Sequence, residues 1–383
     1  MMAVPLEELL VDREVSYGIV QPGSDLSEGT PILRVKDIRN GLIDPSCPMR
    51  VDPAIAARFK RTCLRGGEVL LTLVGTVGEA AVVPEELAGW NVARAIAVLR
   101  GAEVESDWLS LCFRTASVRS QIDAALNTTV QATLNLADLK RIQIPMPERS
   151  ERRAIAEVLG ALDDKIAANG NVVRAADDLA ETTFRAAARE GDAIPLSSLA
   201  RFVNGKAFTK GATGTGRVVI RIAELNNGLG GSTVRNDIDV ADDHVARPGD
   251  LLFAWSGSLT VARWFRDEAI VNQHIFKVIP DGHPLWFVNQ AVRSKLRDYQ
   301  AIAADKATTM GHIQRKHLDE AVTVPNRGAT ARLDACMSGL WQRALAAEIE
   351  NETLAATRDG LLPLLMSGKL RVKDAEKQVG EVV

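Results

Sequence analysis

The 383-residue sequence has few cysteines and no Cys-x-x-Cys pair; Cys47, Cys63, Cys112 and Cys336 stand far apart. That spacing excludes a disulfide framework and a zinc ribbon, and it suits a reducing cytoplasm. No Gly-x-x-x-x-Gly-Lys-Ser/Thr loop is present, which argues against ATP-driven work in this chain. There is no Pro-Pro dipeptide, so the Pro-Pro-Tyr/Phe tetrapeptide of amino-methyltransferases is missing too. The longest apolar run, residues 69–83, carries Glu79 and two glycines and is too short to span a bilayer. Residues 1–10 show neither a basic segment nor an apolar one, so no signal peptide is expected. Charge of one sign is also lacking. With 46 basic and 49 acidic residues the net charge is −3, which excludes a polybasic nucleic-acid binder while leaving room for a local basic face. At 46% apolar and 25% charged, the chain reads as ordinary globular protein of two to three domains.

What the sequence does have is an internal duplication. Leu33-Arg34-Val35-Lys36-Asp37-Ile38-Arg39-Asn40-Gly41 returns as Ile220-Arg221-Ile222-Ala223-Glu224-Leu225-Asn226-Asn227-Gly228. Both segments alternate apolar and polar residues and end in Asn-Gly, the pattern of a strand entering a turn. Gly67-Glu68-Val69-Leu70-Leu71 returns as Gly249-Asp250-Leu251-Leu252-Phe253, with Gly75 matched to Gly257. Pro5-Leu6-Glu7-Glu8-Leu9 returns as Pro195-Leu196-Ser197-Ser198-Leu199, Trp108 as Trp286, and Pro147 as Pro325. The order is kept while the spacing drifts, as two diverged copies with small loop insertions require.

After each Pro the texture changes to a long helix. Ile155, Leu159, Leu162, Ile166, Asn169 and Val173 step by three and four, a heptad seam. Leu333, Met337, Leu340, Asn351 and Leu354 lie on a second seam with the same stepping. Either each helix packs on its own domain or, the favoured reading, the two satisfy one another as a pair, with Asn169 and Asn351 then the candidate polar positions that set register. The predicted layout is a mixed domain over 1–147, a helix over 148–192, a mixed domain over 193–326, and a helix with tail over 327–383. Residues 193–326 hold 16 basic and 13 acidic residues, whereas residues 1–147 hold 15 and 18. One frame with two unlike surfaces suggests two related ligands.

No catalytic constellation stands out. Gly211, Gly214 and Gly216 have the wrong spacing for a dinucleotide fingerprint, and His312 and His317 lack the Glu of a zinc-protease helix. Asp163-Asp164 and Asp177-Asp178 read most simply as a solvated helix face. What remains are amide- and hydroxyl-rich segments at matching places, where side chains suit phosphates and base edges. In the first copy the candidates are Lys36, Arg39, Asn40, Thr76, Arg94, Thr128, Thr129, Gln131 and Thr133. In the second they are Lys206, Arg221, Asn226, Asn227, Ser256, Ser258, Gln273, His274, Lys306, Thr308, Thr309, His312 and Arg315. Asn272-Gln273-His274 is aligned here with Val92-Ala93-Arg94 as divergent, specificity-type positions. Trp255 reads more simply as a packing residue than as a base-stacking one.

Taken together, these segments resemble the specificity subunits of type I restriction-modification systems. The resemblance rests on the twice-used Asn-Gly and Gly-Glu/Asp-Val/Leu-Leu segments, and on the Thr-Thr loop followed by Leu139-Lys140-Arg141-Ile142-Gln143-Ile144-Pro145-Met146-Pro147. It also rests on the helix Glu151-Arg152-Arg153-Ala154-Ile155-Ala156-Glu157-Val158-Leu159-Gly160-Ala161-Leu162-Asp163 and the closing Leu364-Leu365-Met366-Ser367-Gly368-Lys369-Leu370-Arg371-Val372. Two departures are visible: Arg152 replaces a common Gln, and Arg332-Leu333-Asp334 replaces the usual Gln-x-x-Ile. The resemblance implies an α+β fold of two target recognition domains separated by two helices in an antiparallel coiled coil. It further implies that each domain reads half of an interrupted site in double-stranded DNA, and that the helices dock two methyltransferase subunits. Through those subunits a restriction-translocase would join. S-adenosylmethionine and ATP with Mg would then belong to the partners, with no cofactor, metal or catalytic residue in this chain. A two-module scaffold for a non-DNA ligand and a stand-alone DNA-modifying enzyme are the alternatives at this point.

Overall fold

The computed structural model describes residues 2–126, 132–305, 311–380 and 382. The chain divides into two compact units, one of residues 1–167 with 353–383, the other of residues 168–352. Each unit therefore contains part of both long helices, Arg149–Ala187 and Arg327–Met366.

In the first unit a four-stranded sheet runs in the order Ser16–Tyr17, Ile96–Leu99, Val69–Thr72, Ala80–Val82. Its central strands are wholly buried and, Thr72 apart, apolar, because both faces are covered. A second sheet sets Thr30–Leu33 between Met49–Val51 and Asn91–Val92, the last pairing being parallel. Ala3–Pro5 pairs with Gln143–Pro145 and closes the base of the unit. Trp108 is fully buried, and its indole N–H donates to Pro145 O at 2.9 Å, which satisfies the ring's one polar group.

The second unit repeats this plan. Ala200–Asn204, Ile275–Pro280, Leu251–Ala254 and Thr260–Arg263 form the four-stranded sheet in that order. Arg217–Ile220 lies parallel to Ala269–Val271, and Asp192–Pro195 closes the base against Ala321–Val324. The helix Leu285–Asp305 is continuous. Its counterpart breaks in two at Thr115, whose hydroxyl oxygen accepts from Val118 N and so starts a new helix over Ala116–Ala124.

One expectation is corrected here. Residues 220–228 do not continue as a strand: Ile222–Asn227 is helical. In the first copy Val35–Asp37 is a single 3-10 turn, after which Ile38–Arg39 enters the Asn40-Gly41 turn as a strand paired with Leu42–Ile43. The cause is local. Glu224 accepts from both the backbone N–H and the guanidinium of Arg221, and Asp37 does the same for Arg34, so each carboxylate caps the helical turn that the Arg begins.

The long helices run antiparallel within the second unit, where Asn169 Nδ2 donates to Glu350 Oε2 at 2.8 Å. Further along the first helix, Asp177 shares Arg263 with Glu348 of the second. Within the first unit Asp163 and Arg358 pair at 2.6 Å, and Ile155, Leu159 and Leu162 share a core with Leu354, Leu361 and Leu365. Ile166, Val173, Leu333, Leu340 and Asn351 are half-buried, whereas Asn169 and Met337 are buried. The acidic pairs are not a uniform solvated face. Asp164 and Asp178 are exposed, but Asp163 is held between Arg114 and Arg358, and Asp177 faces the buried Arg263.

Candidate nucleic-acid interface

In each unit four segments converge on one notch at the end of the main sheet, and the same backbone hydrogen bonds build it twice. In the first unit Arg94 N donates to Ile19 O at 2.9 Å and Leu73 N to Ala95 O at 2.7 Å. Gly75 N donates to Ala132 O at 3.1 Å and Leu134 N to Leu73 O at 2.9 Å. In the second unit Gln273 N donates to Lys206 O at 2.9 Å and Trp255 N to His274 O at 3.1 Å. Gly257 N donates to Gly311 O at 2.8 Å and Ile313 N to Trp255 O at 3.1 Å. Single bridges complete the match, with Val74 opposite Thr133 and Ser256 opposite His312. Gly18 and Gly205 occupy the tightest points. A Cβ on either would lie 2.1 Å from a carbonyl oxygen, of Val92 or of Asn272, so only glycine lets the strands approach.

This bonding corrects the alignment of the copies by one residue. Asn272-Gln273-His274 corresponds to Ala93-Arg94-Ala95, not to Val92-Ala93-Arg94, because Arg94 and Gln273 make the same backbone contact.

The notch of the first unit gathers Thr76 and Arg94, both exposed, and the half-buried Thr133. That of the second gathers exposed Lys206, Ser258 and Gln273 with half-buried His274 and His312 and buried Ser256. Thr128, Thr129, Gln131, Lys306, Thr308 and Thr309 lie outside the described residues.

In the second notch the ring of Trp255 meets His274 at 5.1 Å, Phe276 at 5.8 Å and His312 at 6.3 Å, while its indole N–H donates to Asn204 Oδ1 at 2.7 Å. Trp255 is thus a packing residue whose body forms the notch wall. Asn204 is a residue that sequence reasoning did not single out, since its counterpart by the repeat, Tyr17, shares no chemistry with it. His274 holds a left-handed backbone with φ of 74°, and its Nδ1 is buried without a hydrogen-bond partner. An imidazole in that conformation is strained, and strain of this kind collects at functional positions. Beside the notch a groove of about 860 Å³ is lined by Arg201, Asn204, Arg315 and Lys316, with Arg315 Nη2 donating to Phe202 O at 3.4 Å.

Other sequence candidates lie elsewhere. Asn40 sits in a left-handed turn with φ of 52°; its N–H donates to Glu79 Oε2 at 2.8 Å and its carbonyl accepts from Arg358 Nη1 at 3.4 Å. That turn, with exposed Arg39 beside it, packs toward the Asp163–Arg358 pair and not toward Arg94. Lys36 is exposed on the preceding 3-10 turn. Arg221 is committed to Glu224 and Ser232 O. Burial alone would raise the Glu224 carboxyl, but the Arg221 guanidinium and backbone N–H bonds hold it below its ordinary value. Asn226 Oδ1 accepts from Thr260 Oγ1 at 2.7 Å, and Asn227 is exposed at the end of the same helix.

Among the described residues no group of His, Cys, Asp and Glu is arranged to hold a metal, and no helix is long and apolar enough to cross a membrane. All four cysteines are free, and burial pushes the Cys112 thiol far above its ordinary range.

Residues 24–172 match the model of the type I restriction modification DNA specificity domain. The chain is 30% identical over 159 residues to the type I restriction enzyme EcoBI specificity subunit of Escherichia coli. That match covers 40% of this chain and 33% of the relative, so it spans a third of the relative's length. Among solved structures, the type I restriction-modification S subunit from M. genitalium superposes with a TM-score of 0.53 over 95% of both chains at 15% identity. The HsdS subunit from Thermoanaerobacter tengcongensis covers 96% of this chain and 97% of its own at 16% identity, with a TM-score of 0.38. The M. genitalium likeness establishes the fold over nearly the whole chain.

Proposed function

From the match of residues 24–172 to the type I restriction modification DNA specificity domain, we propose that the chain is the sequence-reading subunit of such a system. Residues 1–147 and 193–326 each read one half of an interrupted site in double-stranded DNA. The carrying observation is the duplicated notch: one set of backbone bonds, presenting Arg94, Thr76 and Thr133 in one unit and Lys206, Gln273, His274 and His312 in the other. A frame kept twice with different polar groups suits two different base sequences. Local charge supports the reading for the second module alone, since residues 193–326 carry three more basic than acidic residues whereas residues 1–147 carry three more acidic than basic.

In this reading the chain carries no catalytic step. The long helices dock two methyltransferase subunits, which bind S-adenosylmethionine and modify adenine, and a restriction-translocase using ATP and Mg joins through them. The complex works in the cytoplasm. The helices also act as the ruler between the half-sites. Modules reading the same face of the duplex sit near a whole turn apart, ~34–36 Å, which leaves a short unspecified spacer between two specified parts. Exchange of residues 1–147 for the first domain of another family member tests the reading. One half of the methylated motif is expected to change; a swap that alters both halves, or neither, contradicts it.

A further inference from the structure

The corrected alignment places Arg94 and Gln273 at one and the same point of the duplicated frame, and this pairing has chemical content. Each residue follows a strand that runs parallel to its neighbour, Asn91–Val92 beside Thr30–Leu33 and Ala269–Val271 beside Arg217–Ile220. Each gives its backbone N–H to the carbonyl of the residue after a close-approach glycine, Ile19 after Gly18 and Lys206 after Gly205, at 2.9 Å in both units. Both side chains are exposed. This contrasts with Arg221, Arg114, Arg263 and Arg358, whose guanidinium groups are spent on carboxylates. In the second unit the following residue, His274, is held at φ of 74° against Trp255, so the turn that presents Gln273 is fixed at the expense of strain.

We propose that Arg94 and Gln273 are the matched base-reading residues of the two modules, Arg94 specifying a G·C pair in one half-site and Gln273 an A·T pair in the other. The inference rests on the DNA-reading function above and names its specificity residues. The chemistry follows from the side chains. A guanidinium donates two parallel hydrogen bonds to the O6 and N7 acceptors of guanine, whereas a carboxamide donates to N7 and accepts from N6 of adenine. Because one backbone frame holds both, the two read corresponding positions of their half-sites, and exchanging them exchanges the preference at that position. His274 is a positioning residue for Gln273 and makes no base contact of its own in this scheme.

The test uses the full chain co-produced with its methyltransferase partner, with the methylated motif read by sequencing. Wild type is expected to give a bipartite motif with a specified G·C pair in the half-site of the first module. Arg94→Gln is expected to shift that one pair toward A·T, and Gln273→Arg to shift one A·T pair of the other half-site toward G·C. For purified complexes, Arg94→Ala is expected to lose roughly 10-fold of discrimination at its single pair and Gln273→Ala a similar factor at its own. Neither side chain is buried, so the melting temperatures of the variants are expected to match wild type. A wild type without a bipartite motif overturns the functional reading and this inference with it. A bipartite wild-type motif that lacks a specified G·C pair in the first half-site, or that the Ala variants leave equally discriminating at every position, overturns the inference alone.

Discussion

Replacing Arg263 by Ala tests whether the second unit depends on a buried ionic hub. The Arg263 side chain is 2% exposed, stacks on Trp341 at 4.5 Å, and pairs with Glu348 at 2.7 Å and Asp177 at 3.4 Å. Burial already raises the Glu348 carboxyl above its ordinary value, and Arg263 is the chief group that opposes this. Removing one member of a buried pair costs about 3–5 kcal/mol because the remaining charge is uncompensated. Proton uptake limits that penalty. From an ordinary value of 4.5 to pH 7 is 2.5 units, so a protonated Glu348 caps its own share at roughly 3.4 kcal/mol. Loss of the stack on Trp341 adds up to ~2 kcal/mol. A total near ~4 kcal/mol corresponds to a Tm lower by roughly 8–16 °C for a unit of this size. Thermal unfolding followed by tryptophan fluorescence is suitable, since Trp255, Trp264, Trp286 and Trp341 all lie in the second unit. The deficit should also depend on pH. Glu348 has a folded value above its unfolded one, so it weakens stability as pH rises from 4.5 through the raised value, more steeply in the variant than in wild type. The gap between the two proteins should therefore narrow from pH 7.5 to pH 5. The double variant Arg263→Met with Glu348→Leu should recover at least half of the loss, because no carboxylate of the main pair is then stranded. A Tm change under about 2 °C, or a gap that does not vary with pH, would refute this reasoning.

Three further expectations can be checked by similar means. His274→Gly should be more stable than His274→Ala by about 1 kcal/mol in chemical denaturation, because both lose the ring on Trp255 but only alanine keeps the φ strain; equal stabilities would speak against strain at this turn. Gly18→Ala and Gly205→Ala should each destabilise their own unit by at least ~2 kcal/mol, seen as faster hydrogen exchange there, since the added carbon meets a carbonyl oxygen at 2.1 Å. Glu224 has a depressed folded value, so its contribution is present above pH 4.5 and is lost as pH falls through that lower value. The stability advantage of wild type over Arg221→Ala should accordingly be full at pH 6 and shrink below about pH 4.5, and a constant difference would count against the pairing.

The duplication was legible because short motifs such as Gly67-Glu68-Val69 and Gly249-Asp250-Leu251 mark buried central strands whose packing tolerates little change. The helix seams were legible for the same reason: Ile155, Leu159 and Leu162 need an apolar partner, and their stepping shows it. What misled was chemistry hidden by local pattern. The alternation in Ile220-Arg221-Ile222 imitates a strand, yet the Arg221–Glu224 pair three residues apart closes a helical turn. Asp163 read as solvated because its partners, Arg114 and Arg358, lie 49 and 195 residues away, a separation that no spacing rule reveals. The one-residue slip at Arg94 had a signal in the sequence that was passed over. Shifting the copies by one matches Val92 with Val271 and Ile96 with Ile275, and the backbone bond from Gln273 to Lys206 defines the same correspondence.

In the function proposed above, two modules on one frame read two unlike half-sites. The most direct test is to sequence the methylated sites in DNA from a host that carries the full chain together with the methyltransferase subunits proposed to dock on it. Two unlike specified parts separated by a short unspecified spacer are expected, with both half-sites retained when four residues are inserted beside Asn169 and the spacer lengthened by one or two base pairs. Such an insertion advances a helix by ~6 Å and nearly restores its phase. A continuous recognition sequence in wild type, or an active insertion variant with an unchanged spacer, would contradict it.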